Sequence, residues 1–397
     1  MTTPLLLSLP WLLFGVGVLV YIRWPRELPA EVAGGEGAPL VSVIVPARNE
    51  EVNLGTCLHS LSASTYPAFE IVVVDDRSED ETEGIARGAP PGNARRLEVI
   101  QGRDLPPGWL GKPWACQQGA LVARGELLLF TDADTRHDPR LLGRAVAALT
   151  EDDAGLLTVA ARQLLGSFWE KVIQPQVFCL LALRFPRLLD PVEPPRWRNA
   201  IANGQFVLLR REAYERVGGH EAVRGEVVED LRLAQLVCRA GARVSVRDGE
   251  DVLATRMYRS LGGLLEGWTK NLSTGLRQAR GPFPSWLVVP LTLASLVVLW
   301  LVPPGALGAW SLGVVGPGWG LWASLAAAGS VLFWGLAARR MGISPAWGLA
   351  YPLGAAMLAL IILRSWLRGD RIEWKGRVYG SGASRLTVEG EGAPGRT

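Results

Sequence analysis

The chain reads as an α/β domain with a mostly parallel sheet, flanked at both ends by apolar segments long enough to be transmembrane helices. Three observations predict this. Short apolar runs at 40–45, 70–74, 97–100 and 126–131 alternate with stretches of helical character. Each run is near-continuously apolar, the pattern of parallel strands covered on both faces. Finally, 49% of the 397 residues are hydrophobic, more than one soluble domain needs, and the excess lies in long apolar runs near the termini.

Composition narrows the partners. A formal net charge of +3 gives no argument for nucleic acid. Cys57, Cys116, Cys179 and Cys238 are far apart without a C-x-x-C pair, and His59, His137 and His220 lack metal-ligand spacing. This is the cysteine usage of a reduced, cytoplasmic domain with neither a disulfide frame nor a zinc site. Sixteen tryptophans, many near the ends of apolar segments, suit the lipid headgroup region.

Taken in order, residues 5–22 form an apolar run followed by Arg23 and Arg26. A cleaved signal would carry its cationic region before the run, so a retained anchor over 1–24, with its C-terminal end in the cytoplasm, fits better. Residues 25–38, rich in Gly, Ala, Glu and Pro, form a linker. The first strand runs into the polar turn Pro46-Ala47-Arg48-Asn49-Glu50, and residues 53–61 read as a helix. The second strand ends at Asp75-Asp76, with a helix from Thr82. A third strand at 97–100 precedes a Pro/Gly loop at 104–111, then a helix at 112–124. The fourth strand delivers Thr131-Asp132-Ala133-Asp134 to its C-terminal end. Three strands thus end in acidic or polar residues on one rim, where open α/β sheets bind ligands. No G-x-G-x-x-G follows the first strand and no P-loop motif occurs, so dinucleotide and P-loop readings lose ground.

Residues 168–185 are too polar for a comfortable span and too apolar for a surface loop. They suit the membrane interface or an acceptor entrance, with a core helix of the soluble domain as the alternative. A strand is expected at 201–209, and Glu229-Asp230 opens a helix reaching Arg239. The soluble domain is expected over 39–257. Residues 258–281 form a basic amphipathic helix suited to an anionic leaflet. Within 282–364, residues 286–302, 319–338 and 347–363 are candidate spans. Residues 365–397 form a basic tail, which prefers the cytoplasm, as does Arg339-Arg340. Three crossings cannot satisfy both.

Alone, Asp132-Ala133-Asp134 is either a solvated acidic turn or a site where a divalent cation neutralises two crowded carboxylates. Glu229-Asp230 at a helix start is either dipole complementation or chemistry. The ordered set of Pro46–Glu50, Asp75-Asp76, the D-x-D and Glu229-Asp230 strongly resembles the family 2 glycosyltransferases, inverting enzymes with the GT-A nucleotide-sugar-binding fold. The segment 105–115, Gly218-Gly219-His220, Met257-Tyr258, the segment 267–271 and Trp374–Tyr379 extend the likeness. Through them the chain is similar to the membrane enzymes of bacterial carotenoid glycosylation and the hopanoid-associated group.

The resemblance implies roles. Pro46, Ala47, Arg48, Glu50 and Asp76 would hold the nucleobase and ribose of a nucleotide-sugar. Lys112 would approach the diphosphate, and Asp132 the ribose and donor sugar. Asp134 would bind Mg²⁺ or Mn²⁺, and Asp230, beside Glu229, would be the general base. The chemistry asks for the same residue types, because a leaving diphosphate needs cations and an acceptor hydroxyl needs a carboxylate. The expected enzyme is a membrane-bound, multi-pass hexosyltransferase of the inner cell membrane with its catalytic domain in the cytoplasm. Its site would lie at the bilayer surface, moving one sugar to a hydrophobic lipid acceptor such as a carotenoid. No Q-x-x-R-W motif occurs, which separates it from processive polysaccharide synthases. A polyprenyl-phosphate sugar synthase, kept open by Arg224 and Arg232, and an inactive sugar-nucleotide-binding scaffold are the alternatives.

Overall fold

A computed structural model describes residues 2–21, 24–30, 34–35, 37–185, 191–278, 285–368 and the short segments 372–374, 377–379 and 388–389. The remainder of the tail at 365–397, part of the linker at 25–38 and the end of the helix expected at 258–281 lie outside the described residues.

In chain order the elements are α1 (Thr2–Tyr21), β1 (Arg26–Glu27), β2 (Val41–Ala47), α2 (Leu54–Ser62), β3 (Phe69–Asp75), α3 (Thr82–Gly88) and β4 (Leu97–Gln101). Then come α4 (Gly111–Val122), β5 (Leu127–Phe130), β6 (Thr135–His137), α5 (Leu141–Glu151), β7 (Ala154–Ala160), β8 (Arg162–Gln163) and α6 (Phe168–Arg184). β9 (Val207–Arg210), α7 (Arg211–Arg216), α8 (Glu229–Arg239), β10 (Arg243–Asp248) and β11 (Leu253–Thr255) follow. The chain ends with α9 (Leu261–Gln278), α10 (Ser285–Leu296), α11 (Val302–Ser311), α12 (Pro317–Arg340), α13 (Tyr351–Arg368) and strands β12 to β14 (Ile372–Trp374, Arg377–Tyr379, Val388–Glu389). They divide into an α/β unit (Trp24–Leu164, Leu188–Met257, Asp370–Thr397) and a helical unit (Met1–Arg23, Leu165–Arg187, Tyr258–Gly369).

The α/β unit is built on an eight-stranded sheet in the order β1-β10-β7-β9-β5-β2-β3-β4. Its neighbours are parallel except for β9, which runs antiparallel to β5 and β7. Strand periodicity sends Val43, Val45, Ile71 and Val73 into one hydrophobic cluster and Ile44, Val72 and Val74 into the other, all fully buried. Both faces are therefore covered, as near-continuous apolar strands require. From β2 the order runs to β3 and β4 on one side and to β5 on the other, so the loops after β2 and β5 part at the strands' carboxyl ends. That divergence opens a ligand crevice in α/β sheets.

Two parts of this unit differ from expectation. The strand expected at 201–209 begins only at Val207, because residues 203–206 turn, with Phe206 N–H donating to Asn203 O at 3.0 Å. A second small sheet, β6-β11-β8, was not marked in the sequence, nor were β7 and β10. β7 opens on Ala-Gly and β10 mixes Arg, Ser and Asp with valines, so neither carries a strong apolar strand signal. β10 is pinned by charge: Arg247, 4% exposed, forms a two-pronged ion pair with Asp152, 2% exposed, at 2.9 and 2.7 Å.

In the helical unit, α10 passes through a π-helical turn at Val297–Leu301 into α11, giving one apolar stretch, Trp286–Ser311. Among the described residues it makes, with Pro317–Arg340 and Pro345–Leu367, three helices long and apolar enough to cross a membrane. The Trp11 indole of α1 donates to Leu299 O in the π-helical turn at 2.6 Å, and Trp322 donates to Leu7 O at 3.1 Å. Segment 168–185 lies in this unit and not in the α/β unit, starting at a Ser167–Glu170 capping box. Trp268 and Leu272 of α9, two residues of the apolar face expected to lie on a leaflet, are buried. α9 packs on α6 and α13, with Phe178 edge-on to Trp268 at 5.8 Å.

Removing one partner of a buried ion pair strands the other, at a cost of about 3–5 kcal/mol. Arg247→Ala is therefore expected to lower the unfolding temperature of the detergent-solubilised protein clearly. Arg87→Ala, which breaks the exposed Arg87–Glu83 pair, should leave it within a degree or two.

Candidate active site

The loops after β2 and β3 lock to each other. Asn49 and Arg77 each adopt a left-handed backbone (φ 51° and 57°). This lets Asn49 N–H donate to Ser78 Oγ at 3.1 Å and Glu79 N–H to Asn49 Oδ1 at 2.9 Å. Arg48 is spent on the same lock: its guanidinium donates to Asp76 O at 2.7 Å, Arg77 O at 2.9 Å and Glu79 at 3.2 Å. Glu50 accepts from Asn53 Nδ2 at 2.8 Å, while Thr82 Oγ1 accepts from Glu50 N–H at 2.8 Å. Asp76, 1% exposed, begins the second loop, its N–H bonded to Ala47 O at 2.7 Å. Arg48 thus braces the loops rather than extending free toward a ligand.

α4 carries Lys112 on its first turn. The helix sits unusually close to β2, since a Cβ on Gly119 would stand 2.4 Å from Ile44 Cγ2. Lys112 Nζ consequently reaches the end of β5, pairing with Asp132 Oδ1 at 2.7 Å and with Glu229 Oε1 of α8 at 2.9 Å. Burial alone would pull this ammonium down, but Asp132, Glu229 and Asp230 outweigh it and hold it well above its ordinary value.

Asp230 is gripped by backbone. Gly204 N–H donates to Oδ2 at 2.5 Å and Leu231 N–H to Oδ1 at 2.7 Å. Burial, then the neighbouring Glu229 charge, raises its carboxyl to about 7, despite Lys112 and the two amides. Asp134 is likewise raised to about 7, by burial first and then by Asp132 and Glu50. Its Oδ1 is enclosed without a hydrogen-bond partner. The small sheet steadies this turn: Thr255 Oγ1 donates to Asp134 O at 3.4 Å and Thr135 Oγ1 to Asp132 O at 2.7 Å.

One pocket gathers Pro46, Lys112, Asp132, Glu229 and Asp230. Ala47, Arg48, Glu50, Asp76 and Asp134 lie in the loops on the same rim of the sheet. Seven pocket residues were not foreseen: the apolar Phe130, Val207 and Leu233, and Cys116, Thr131, His220 and Gly204. His220 had been noted only as part of a likeness. Burial and then Lys112 push its imidazole down to about 3, and its Nδ1 lies 2.9 Å from Tyr214 OH. Gly204 sits in an Asn-Gly dipeptide, a turn signal that could have revealed it inside the expected strand.

Such an arrangement defines a class, a mixed α/β sheet with a carboxylate-rich crevice at its switch point. The comparisons agree. The mannosyltransferase of Pyrobaculum calidifontis, solved with GDP-Man and Mn²⁺, shares the fold, with a TM-score of 0.53 and 21% identity over 89% of this chain and 98% of that one. The family model "Glycosyl transferase family 2" matches residues 42–218. The 4,4'-diaponeurosporenoate glycosyltransferase of Staphylococcus aureus (strain MRSA252) is 30% identical over 91% of this chain and 94% of its own length. That of strain USA300 is 31% identical over 72% and 71%. The chain belongs to glycosyl transferase family 2; it is a glycosyltransferase with the GT-A fold.

Replacing Lys112 by Met keeps the bulk and removes the charge. It leaves Glu229, whose side chain is 7% exposed, with a lost charge-assisted bond. A loss of about 2 kcal/mol in unfolding free energy is expected, measured by denaturant titration against wild type.

Proposed function

We propose that the protein is an inverting, metal-dependent, non-processive enzyme that moves one sugar from a nucleotide-sugar, with UDP-glucose the first donor to test, to a hydroxyl or carboxyl of a hydrophobic isoprenoid such as a carotenoid. The observation that carries this is the pair of opposed devices in one pocket: a cation, Lys112, beside Asp132, and a base, Asp230, clamped by two amides. The acceptor class comes from the S. aureus relatives, whose name specifies diaponeurosporenoate, and from three helices apolar enough to enter a bilayer.

The residues fit a divalent cation. Asp134 offers an enclosed, unpartnered carboxylate oxygen whose proton affinity is raised by Asp132 and Glu50, and a cation would relieve that crowding. Among the described residues no three His, Cys, Asp or Glu side chains gather into a self-sufficient cage. That suits Mg²⁺ or Mn²⁺, which keeps most of its shell for phosphate oxygens and water. When bound by Asp134, with Asp132 nearby, the ion would supply charge neutralisation to the leaving diphosphate.

The protein's own groups then divide the work. Asp76 and the locked loops hold the base and ribose, and Asp132 orients the ribose and sugar. Asp230 takes the acceptor O–H proton as the new C–O bond forms at the anomeric carbon from the face opposite the departing phosphate oxygen. The old C–O pair leaves with the nucleoside diphosphate, whose charge Lys112 meets. The pocket sets three carboxylates, Asp132, Glu229 and Asp230, against Lys112, which disfavours a phosphate acceptor. Arg232, which would support one, is turned toward Glu226 at 3.9 Å. The catalytic unit is assigned to the cytoplasmic side of the inner membrane, where nucleotide-sugars are made.

Membranes containing the protein, incubated with labelled UDP-glucose, UDP-N-acetylglucosamine or GDP-mannose, should label a lipid, and EDTA should stop it. Failure to label any lipid with every donor would sink the reading. Asp230→Asn should cut turnover by about 10²–10⁴-fold while donor binding persists. Because the base works ionised and its carboxyl is raised, the wild-type rate should rise with pH through about 7 and fall below it. Asp134→Ala should abolish Mn²⁺ binding measured by calorimetry. In the wild type that binding should weaken as pH drops through about 7, where protons compete.

A further inference from the structure

We infer that Gly204 is a positioning residue for the transfer: its amide aims the base, and its missing side chain keeps open the space in which Lys112 spans the site. The inference rests on the reading of Asp230 as the base.

Three observations meet at this residue. Its N–H donates to Asp230 Oδ2 at 2.5 Å while Leu231 N–H holds Oδ1 at 2.7 Å, so both oxygens are fixed from opposite chain segments. A Cβ at 204 would stand 2.6 Å from Lys112 Nζ and 3.3 Å from both Asp132 Oδ2 and Asp230 Oδ2. A carbon does not tolerate the first of these distances, so a side chain here must displace the ammonium at the end of its flexible stem, or the turn. Finally, the turn is itself braced. Asn203 Nδ2 donates to Gln205 Oε1 at 3.0 Å, Thr131 Oγ1 donates to Gln205 O at 2.7 Å, and Asn203 N–H donates to Thr158 Oγ1 at 3.1 Å. A turn so tied cannot move aside freely.

The location has a chemical meaning. Gly204 precedes β9, the antiparallel strand inserted between β5 and β7, and because Val207 pairs with Phe130 the turn lies at the carboxyl end of β5. Its amide reaches the base without contributing another charge to a pocket already rich in carboxylates. A hydrogen bond to the ionised form favours that form, so the Gly204 amide opposes the upward push on Asp230 from burial and Glu229. The same contact leaves the carboxylate rotationally fixed, and misplacing a reacting group by about 1 Å can cost roughly 10²-fold in rate.

The test is Gly204→Ala in the membrane transfer assay, using the donor from the panel above that gives wild-type turnover. The expected result is a fall in kcat of about 10²-fold. With the amide bond stretched, the acidic limb of the pH–rate profile should also move up by about one unit. A merely structural role would lower the amount of folded enzyme and leave that limb in place, so the limb is the deciding readout. Unchanged kcat and an unchanged limb in a variant that melts like wild type would overturn the inference. If Gly204→Ala fails to fold, Asn203→Ala loosens the same turn without adding bulk. It should move the limb in the same direction by a smaller amount, and an unmoved limb would overturn the proposal. Asp230→Asn run in parallel separates the two claims. Full turnover in that variant removes the base reading itself. Lost turnover there with a normal Gly204→Ala enzyme removes only the role of Gly204.

Discussion

The Lys112 ammonium, lodged between Asp132 and Glu229, is the interaction on which the site depends. Without a cation at that point three carboxylates would crowd one pocket, and burial would drive them toward protonation. With it, the end of β5 and the start of α8 can converge. The two ion-pair distances, 2.7 and 2.9 Å, link α4 with elements from both sides of the antiparallel insertion. Packing provides the means: α4 lies close enough on β2, through Gly119, for a lysine side chain to span the gap.

Much of this was legible because the signals are local. Continuous apolar strands with acidic ends disclosed the parallel half of the sheet and its functional rim, and Lys112, Asp132, Glu229 and Asp230 do meet in one pocket. The antiparallel strand and the small second sheet were not legible. Their partners are fixed by long-range pairing, and sequences such as Arg243–Asp248 look half exposed when read alone. Gly204 was hidden for a related reason. Its importance comes from what surrounds it in space, and a glycine inside an apolar run advertises only a weak strand. The partners of Arg48 were equally invisible in the sequence. A basic residue in a ligand-binding turn invites a ligand contact, yet its guanidinium is committed to the carbonyls of Asp76 and Arg77.

Among the helices, composition identified the three apolar segments, and pattern marked α9 as amphipathic without showing what its apolar face meets. An amphipathic basic helix fits a leaflet and a protein groove equally well by pattern, and only the packing of Trp268 beside Phe178 distinguishes them. The position of residues 168–185 follows from the same packing, since α6 supplies part of that groove.

The bonds of α1 reach unusually far along the chain: Trp11 to Leu299 spans 288 positions and Leu7 to Trp322 spans 315. Two partners of this helix therefore lie beyond residues 24–257 in the chain. Contacts so distant in sequence form late. Until residues 299 and 322 are in place, the Trp11 indole and the Leu7 carbonyl lack these two partners. A truncation before residue 299 would remove both partners of α1, while residues 24–164 and 188–257 of the α/β unit would be retained.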